Sequence, residues 1–273
     1  MKRKIDIVVL SDIYLGSKAS KATELLNYLK SIKPQIVILN GNILVTQQLK
    51  TLPKEHLRVI NRLMKMLSNG TRIYYLTGDS DASLRRFADF NSGNLFLRDQ
   101  LFLQLGGKKY LFFNGDMVGE KQDFWTKTFK KVKTFLGIKA KKDKDIHLSF
   151  ENEAVEAANT EGCDAVVCGH TQEPKIALNQ PIQYLNSGDW VFNMSALEYN
   201  YGEWSIYNYD AADFDLINPK LHVKDSEQDE DDLHLHPKNE AKKLKRPKEF
   251  VVIRERETDS WVHNDAVWDG LES

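Results

Sequence analysis

Along the first half of the chain, apolar runs alternate with periodic segments, each run ending in a polar turn. Residues 5–10, IDIVVL, form an apolar run interrupted only by Asp6 and closed by Ser11-Asp12, which predicts a strand buried on both faces that runs off its end into a turn. Leu25, Leu26 and Leu29 then share one helix face, and QIVILNGN repeats the strand and its turn, giving a βαβ unit. Leu57, Ile60, Met64 and Leu67 predict the core face of a second helix, closed by Asn69-Gly70, and RIYYLTGDSD predicts a third strand. From Asn94 the pattern changes to short strands, LFL, LFLQL and KYLFFNGD, separated by turns such as Gly106-Gly107. A helix is expected over residues 122–136. Beyond it AVVCGH, IQYLNSGDW, SALEYN and EWSIYNYD read as strands, the last two forming a hairpin across Tyr201-Gly202. The alternation predicts a mixed α/β domain ending near Asp210.

Composition narrows this picture. With 273 residues, 41% hydrophobic and 28% charged, the chain can bury one sizeable core and still carry a tail. Its 38 basic and 39 acidic side chains leave a formal charge of −1, so no overall field draws it to nucleic acid, and no nucleic-acid partner is expected. Cys163 and Cys168 flank one apolar segment and read as free buried thiols in a reducing compartment. The apolar run after the basic residues 1–4 is too short for a signal-peptide core or a membrane span. A cytoplasmic protein is expected.

Two segments depart from the average. Residues 126–144, TKTFKKVKTFLGIKAKKDK, carry eight lysines against one aspartate, and Trp125, Phe129, Val132 and Leu136 give them an apolar face. Such a basic amphipathic helix, with Trp125, Lys130, Lys131 and Lys133, suits peripheral contact with an anionic membrane; it equally suits packing on the domain with its lysines in water. Residues 213–273 begin a charged, disordered tail, with DSEQDEDD followed by KNEAKKLKRPK. Trp261 and Trp268 near its end are either a docking segment for a protein partner or anchors that fold back.

The polar strand ends form an ordered series: Asp12 and Tyr14, Asn42, Asp79 to Asp81, Asn114 and Asp116, then Cys168-Gly169-His170-Thr171-Gln172 and Asn186-Ser187-Gly188-Asp189. In α/β folds, ligands gather beyond the carboxyl ends of strands. A histidine at position 14 would complete a metal clip with Asp12, two residues away on the same side of an extended segment. Tyrosine stands there instead.

This series resembles the calcineurin-like metallophosphoesterases, whose pattern is D-x-H, G-D-x-x-D, G-N-H-D, H-G-D and G-H-x-H. The resemblance runs from about residue 5 to about residue 210, and SIKPQIVILNGN, PKEHLRVI, LRRFADF and YLNSGDWV are most similar to the UDP-2,3-diacylglucosamine diphosphatases. It implies a sandwich of two mixed β-sheets flanked by helices over residues 1–212, with a basic helical insertion at about 120–145 that is shortened here. It also implies two divalent ions, typically manganese, about 3.5–4 Å apart, bridged by a shared aspartate and acting on a phosphoryl group.

Carried over residue by residue, the first ion would take Asp12 and positions 14, 42 and 172; the second would take positions 42, 79, 114 and 170. Of the family's ligand types, Asp12 and His170 are kept, and Asp79 replaces an asparagine. Tyr14, Asn42, Asn114 and Gln172 are replacements, and Ser80 stands where a catalytic histidine would be. An amide at position 42 cannot neutralise two dications as a bridging carboxylate does. The ligand set therefore predicts no metal cofactor, with manganese the expected ion if one is held. Asp79 and His170 read as a hydrogen-bonded pair or as ligands to a single weak ion.

Every replacement keeps hydrogen-bonding capacity, so the cleft is expected to stay polar and to take a nucleotide or phosphate weakly, through strand-end amides and Arg85 or Arg86. Two functions follow. One is a catalytically inactive relative that binds a partner, a nucleotide or a membrane surface. The other is an active metal-dependent UDP-2,3-diacylglucosamine diphosphatase-like hydrolase of lipid A biosynthesis. Ligand chemistry favours the first.

Overall fold

Strands buried on both faces account for the unbroken apolar runs, because this fold stacks four layers. The computed structural model describes residues 2–116, 143–179, 181–215 and 251–254. The first sheet holds β1 (Arg3–Leu10), β2 (Ile32–Asn40), β3 (Arg72–Leu76), β4 (Asn91–Ser92), β5 (Leu95–Arg98), β11 (Ser195–Asn200) and β12 (Glu203–Asn208), in the order β12-β11-β1-β2-β3-β5-β4. The second holds β6 (Leu101–Leu105), β7 (Lys108–Phe112), β8 (Ala165–Cys168), β9 (Lys175–Asn179), β10 (Ile182–Asn186) and β13 (Val251–Arg254), in the order β13-β6-β7-β8-β10-β9. Both are mixed: β1, β2, β3 and β5 run parallel, as do β7, β8 and β10, while their flanking strands are antiparallel.

Period-two alternation sorts each strand between layers. Ile36, Ile38, Tyr74 and Leu76 point between the sheets and meet Leu101, Leu103, Phe112 and Val167. Their neighbours Val37, Leu39, Ile73 and Tyr75 face outward, against α1 (Ala22–Ser31) and α2 (Lys54–Ser68). Beneath the second sheet, α3 (Asp143–Thr160) presents Phe150, Ala154 and Ala158 to Leu111, Val166 and Cys168. A short helix, α4 (Ala212–Asp215), ends the continuous domain. The sandwich of two mixed sheets flanked by helices is thus as expected.

Several details differ from the sequence reading. On α2 the buried stripe is His56, Val59, Leu63 and Met66, while Leu57 and Met64 are each 46% exposed. The core takes Val59, Leu63 and Met66 fully and the expected Ile60 and Leu67 partly, so the buried face is shifted by one position along the helix. Helix α3 carries much of its packing on alanines, whose weak hydrophobic signal hides it in the sequence. Most of the expected disordered tail over 213–273 lies outside the described residues; within them, Asp213 to Asp215 complete α4, and Val251–Arg254 pairs antiparallel with β6. Val251, Val252 and Ile253 are three β-branched residues in a row, which favour a strand even beside the charge blocks. The expected basic helix, with Trp125, Lys130, Lys131 and Lys133, lies outside the described residues, as do Trp261 and Trp268. Both cysteines are free and buried. Among the described residues, no helix is long and apolar enough to cross a membrane.

One side chain ties α2 to the loop after β1. The backbone N–H of Gly16 donates to Nδ1 of buried His56 at 2.8 Å, which requires an unprotonated imidazole, and burial lowers the His56 pKa. A histidine whose folded pKa is depressed contributes stability above its unfolded pKa, about 6.5, and loses it as pH falls below that value. His56→Gln, which cannot titrate, is expected to show a shallower loss of melting temperature between pH 7 and pH 5 than the parent. Parallel acid limbs would contradict this role.

Candidate functional site

The carboxyl ends of β1, β2 and β3 meet those of β7, β8 and β10 across the sandwich. Backbone and amide bonds stitch them together. Asn114 Nδ2 donates to the Asn40 carbonyl at 2.8 Å, Asn40 Nδ2 to the Val167 carbonyl at 3.3 Å, and the Trp190 N–H to the Asp12 carbonyl at 3.2 Å. The Ser11 and Ser187 hydroxyls lie 2.6 Å apart. Two glycines allow this approach: a Cβ on Gly41, whose φ is +82°, would sit 2.6 Å from that of Asn114, and one on Gly78 would sit 2.7 Å from the Asn42 nitrogen.

Asp12 is the hub, with no solvent exposure. Its Oδ1 accepts from the Tyr14 hydroxyl at 2.9 Å, Asn42 Nδ2 at 2.9 Å and Gln172 Nε2 at 3.1 Å. Gln172 Nε2 also donates to the Tyr14 hydroxyl at 3.2 Å. The other amide atom of Asn42, Oδ1, accepts from the Ser80 N–H at 2.9 Å. Asp12 Oδ2 is buried without a hydrogen-bond partner. Burial pushes the Asp12 carboxyl up from 3.8 to about 6, and the hydrogen bonds from Gln172, Asn42 and Tyr14 offset only part of that rise. The Tyr14 phenol is raised as well, first by burial and then by the Asp12 charge.

The backbone at this hub is unusual. Asp12, Tyr14, Asn42 and Gln172 have φ of 53°, 52°, 57° and 59°, four of the seven non-glycine residues with positive φ among the described residues. Left-handed conformation costs an L-residue about 1–2 kcal/mol, most readily borne by Asn and Asp. Such strain gathers where surrounding structure fixes a site.

The other expected site residues are placed less centrally. Asp79 and His170 are exposed, and no hydrogen bond joins them among the described residues, which corrects the expected pair. His170 instead lies against Phe150, with ring centroids 5.5 Å apart. The Ser80 hydroxyl donates to the Leu44 carbonyl at 3.1 Å. Asn114 is buried, with its Oδ1 unpartnered. Arg85 is ion-paired with Asp116 and its Nε donates to Thr77 Oγ1 at 3.4 Å, whereas exposed Arg86 stacks over Phe87, 5.0 Å from the ring centroid.

Beside the hub, Arg85, Asp116, Thr77 and Asn114 line a cavity of about 330 Å³ that Asp99 and Glu161 also border. No motif pointed to Asp99 or Glu161. Two carboxylates in the motif series prove to be scaffold. Asp81 accepts from the Gly78 and Ile43 N–H groups and the Tyr75 hydroxyl, at 2.6, 2.9 and 2.5 Å; Asp189 accepts from the Val191 and Phe192 N–H groups at 2.7 and 2.5 Å. Their burial among backbone N–H groups is the signal that sequence spacing lacks.

The residues present do not fit a two-ion centre. Asp12 Oδ1 is already met by three donors, and Asn42 turns its only ligand-type atom away, toward the Ser80 N–H. Among the described residues, no three His, Cys, Asp or Glu side chains converge as a metal would need.

The sequence model for calcineurin-like phosphoesterases matches residues 5–174, more than half of the chain. No curated protein matches it. Solved structures similar to it include Vacuolar Protein Sorting 29 from Cryptosporidium parvum, with 16% identity over 74% of this chain and 96% of that one and a TM-score of 0.42. Zinc-complexed wild-type Vps29 from Entamoeba histolytica has 17% identity over 74% and 91%, with a TM-score of 0.44. A novel archaeal phosphodiesterase has 12% identity over 74% and 98%, with a TM-score of 0.43.

The raised Asp12 carboxyl has a signed consequence. An acid whose folded pKa lies above its unfolded value contributes stability below about pH 4 that is lost as pH rises to about 6. At pH 7 the charged group therefore costs roughly 3 kcal/mol relative to its neutral form. Asp12→Asn is expected to gain about 1–3 kcal/mol at pH 7 and to flatten the stability profile between pH 4 and pH 6. Chemical denaturation at these pH values measures both, and a destabilised variant with an unchanged profile would contradict the assignment.

Proposed function

The chain belongs to the calcineurin-like phosphoesterase family, and we propose that it is a catalytically inactive member that keeps the fold in order to bind. One observation carries this reading: at three of the family's ligand positions, 14, 42 and 172, the side chains donate hydrogen bonds to Asp12 where metal ligands would present lone pairs. A hydrolase of this family needs ions to polarise the phosphoryl group and to generate its nucleophile. The alternative, a UDP-2,3-diacylglucosamine diphosphatase-like enzyme of lipid A biosynthesis, needs manganese at the same positions, and the same donors oppose it.

Binding has three proposed routes in a cytoplasmic setting. A phosphate-bearing ligand such as a nucleotide would meet Arg85 only in competition with Asp116, so its affinity is weak. The net charge of +7 over residues 126–144 suits the surface of an anionic membrane, and Trp261 and Trp268 suit docking to a protein partner.

Metal loading followed by desalting and elemental analysis, with hydrolysis of bis-p-nitrophenyl phosphate assayed in manganese or zinc, tests the inactive reading. Neither a bound ion nor turnover above buffer is expected; two ions per chain with turnover would overturn it. For the membrane route, the full chain is expected to float with vesicles containing phosphatidylglycerol and not with neutral ones. Indifference to lipid charge would remove that route.

A further inference from the structure

We infer that Tyr14, Asn42 and Gln172 act together as a built-in replacement for a cation, holding the loops after β1, β2 and β8 together at Asp12 through hydrogen-bond donors. The loops follow β1, β2 and β8, and residues 12 and 172 are 160 positions apart in sequence, so no local turn chemistry brings them together. A buried carboxylate must meet positive charge or donors. Here one oxygen collects three, all within 3.1 Å.

The direction of the network, and with it the orientation of both amides, is fixed by its own geometry. Because the Ser80 N–H can only donate, Asn42 must present Oδ1 to it and Nδ2 to Asp12. Gln172 bonds to both the carboxylate and the phenol through one atom; an oxygen there would repel Asp12. Tyr14 then accepts from Gln172 and donates to Asp12, leaving no member with its polarity reversed.

The backbone supplies an independent observation. All four residues hold left-handed conformations, a cost that tyrosine and glutamine have little intrinsic reason to bear. The network fixes them there, so the cleft keeps its loop geometry without an ion. A cation would attract Asp12 from any direction, whereas these donors act only along their bonds. Asn42 and Gln172 therefore position their own loops, and Tyr14 fixes the turn it shares with Asp12.

This inference rests on the inactive-member reading, and the two can fail separately. The test compares the parent with Tyr14→His/Asn42→Asp/Gln172→His, which restores lone pairs in place of donors. The parent's melting temperature is expected to be the same in EDTA and in millimolar manganese. The folded variant is expected to melt about 5 °C or more lower in EDTA and to recover with manganese, as binding linkage requires. A variant that folds yet ignores manganese would overturn the inference alone; a parent that loses stability in EDTA would overturn both.

If the triple variant does not fold, Tyr14→Phe in the parent and in Asp12→Asn decides the matter. Hydrogen bonds to a charged acceptor are about twice as strong as neutral ones, so the drop of about 3 °C expected in the parent should be roughly halved in Asp12→Asn. Equal drops would mean that Tyr14 merely packs, and the inference would fall.

Discussion

A buried carboxylate held by neutral donors is the constraint on which the rest of the site depends. Asp12 has no solvent exposure, one of its oxygens accepts three hydrogen bonds, and the other has no partner. Hydrogen bonds to a charged group each contribute about 1.5–3 kcal/mol, yet desolvation still raises the Asp12 carboxyl to about 6. The group is a net burden on the fold that the surrounding structure offsets. Around it the chain fixes loops from both sheets, through Asn114 to Asn40, Ser11 to Ser187 and Trp190 to the Asp12 carbonyl.

The scaffold beneath this hub is ordinary by comparison. Apolar side chains of β1, β2 and β3 alternate between the inter-sheet core and the helix layer, and those of β7 and β8 do the same on the other side. Buried carboxylates of a different kind complete it. Asp81 and Asp189 are saturated by backbone N–H groups and hold turns, while Glu198 takes both guanidinium nitrogens of Arg3 and the Tyr28 hydroxyl, each at 2.9 Å. Asp12 differs because its donors are neutral side chains at the family's ligand positions, two of them on other loops, which makes it sensitive to what those positions carry.

Much of the fold was legible because strands with two buried faces leave unbroken apolar runs, and because the hairpin at Tyr201-Gly202 has a plain turn signal. The shifted face of α2 shows the limit: Leu57 and Met64 fit a helical period as well as Val59 and Leu63 do, and only packing in the folded core decides between them. Helix α3 was missed because Ala154 and Ala158 carry little hydrophobic signal, and β13 because three β-branched residues sit among charges. At the site, the strand-end motifs hold Asp12, Tyr14, Asn42 and Gln172, which the structure joins in one hydrogen-bonded cluster. Their donor directions, the pairing of Arg85 with Asp116 and the separation of Asp79 from His170 depend on side chains meeting across two sheets, which spacing along one chain does not encode.

The most direct measurement is anomalous diffraction at the zinc edge from crystals grown in millimolar zinc. The account predicts no anomalous peak at Asp12 and electron density for the Tyr14 hydroxyl on its carboxylate. Two peaks about 3.5–4 Å apart, with Tyr14 or Gln172 swung away from Asp12, would contradict it.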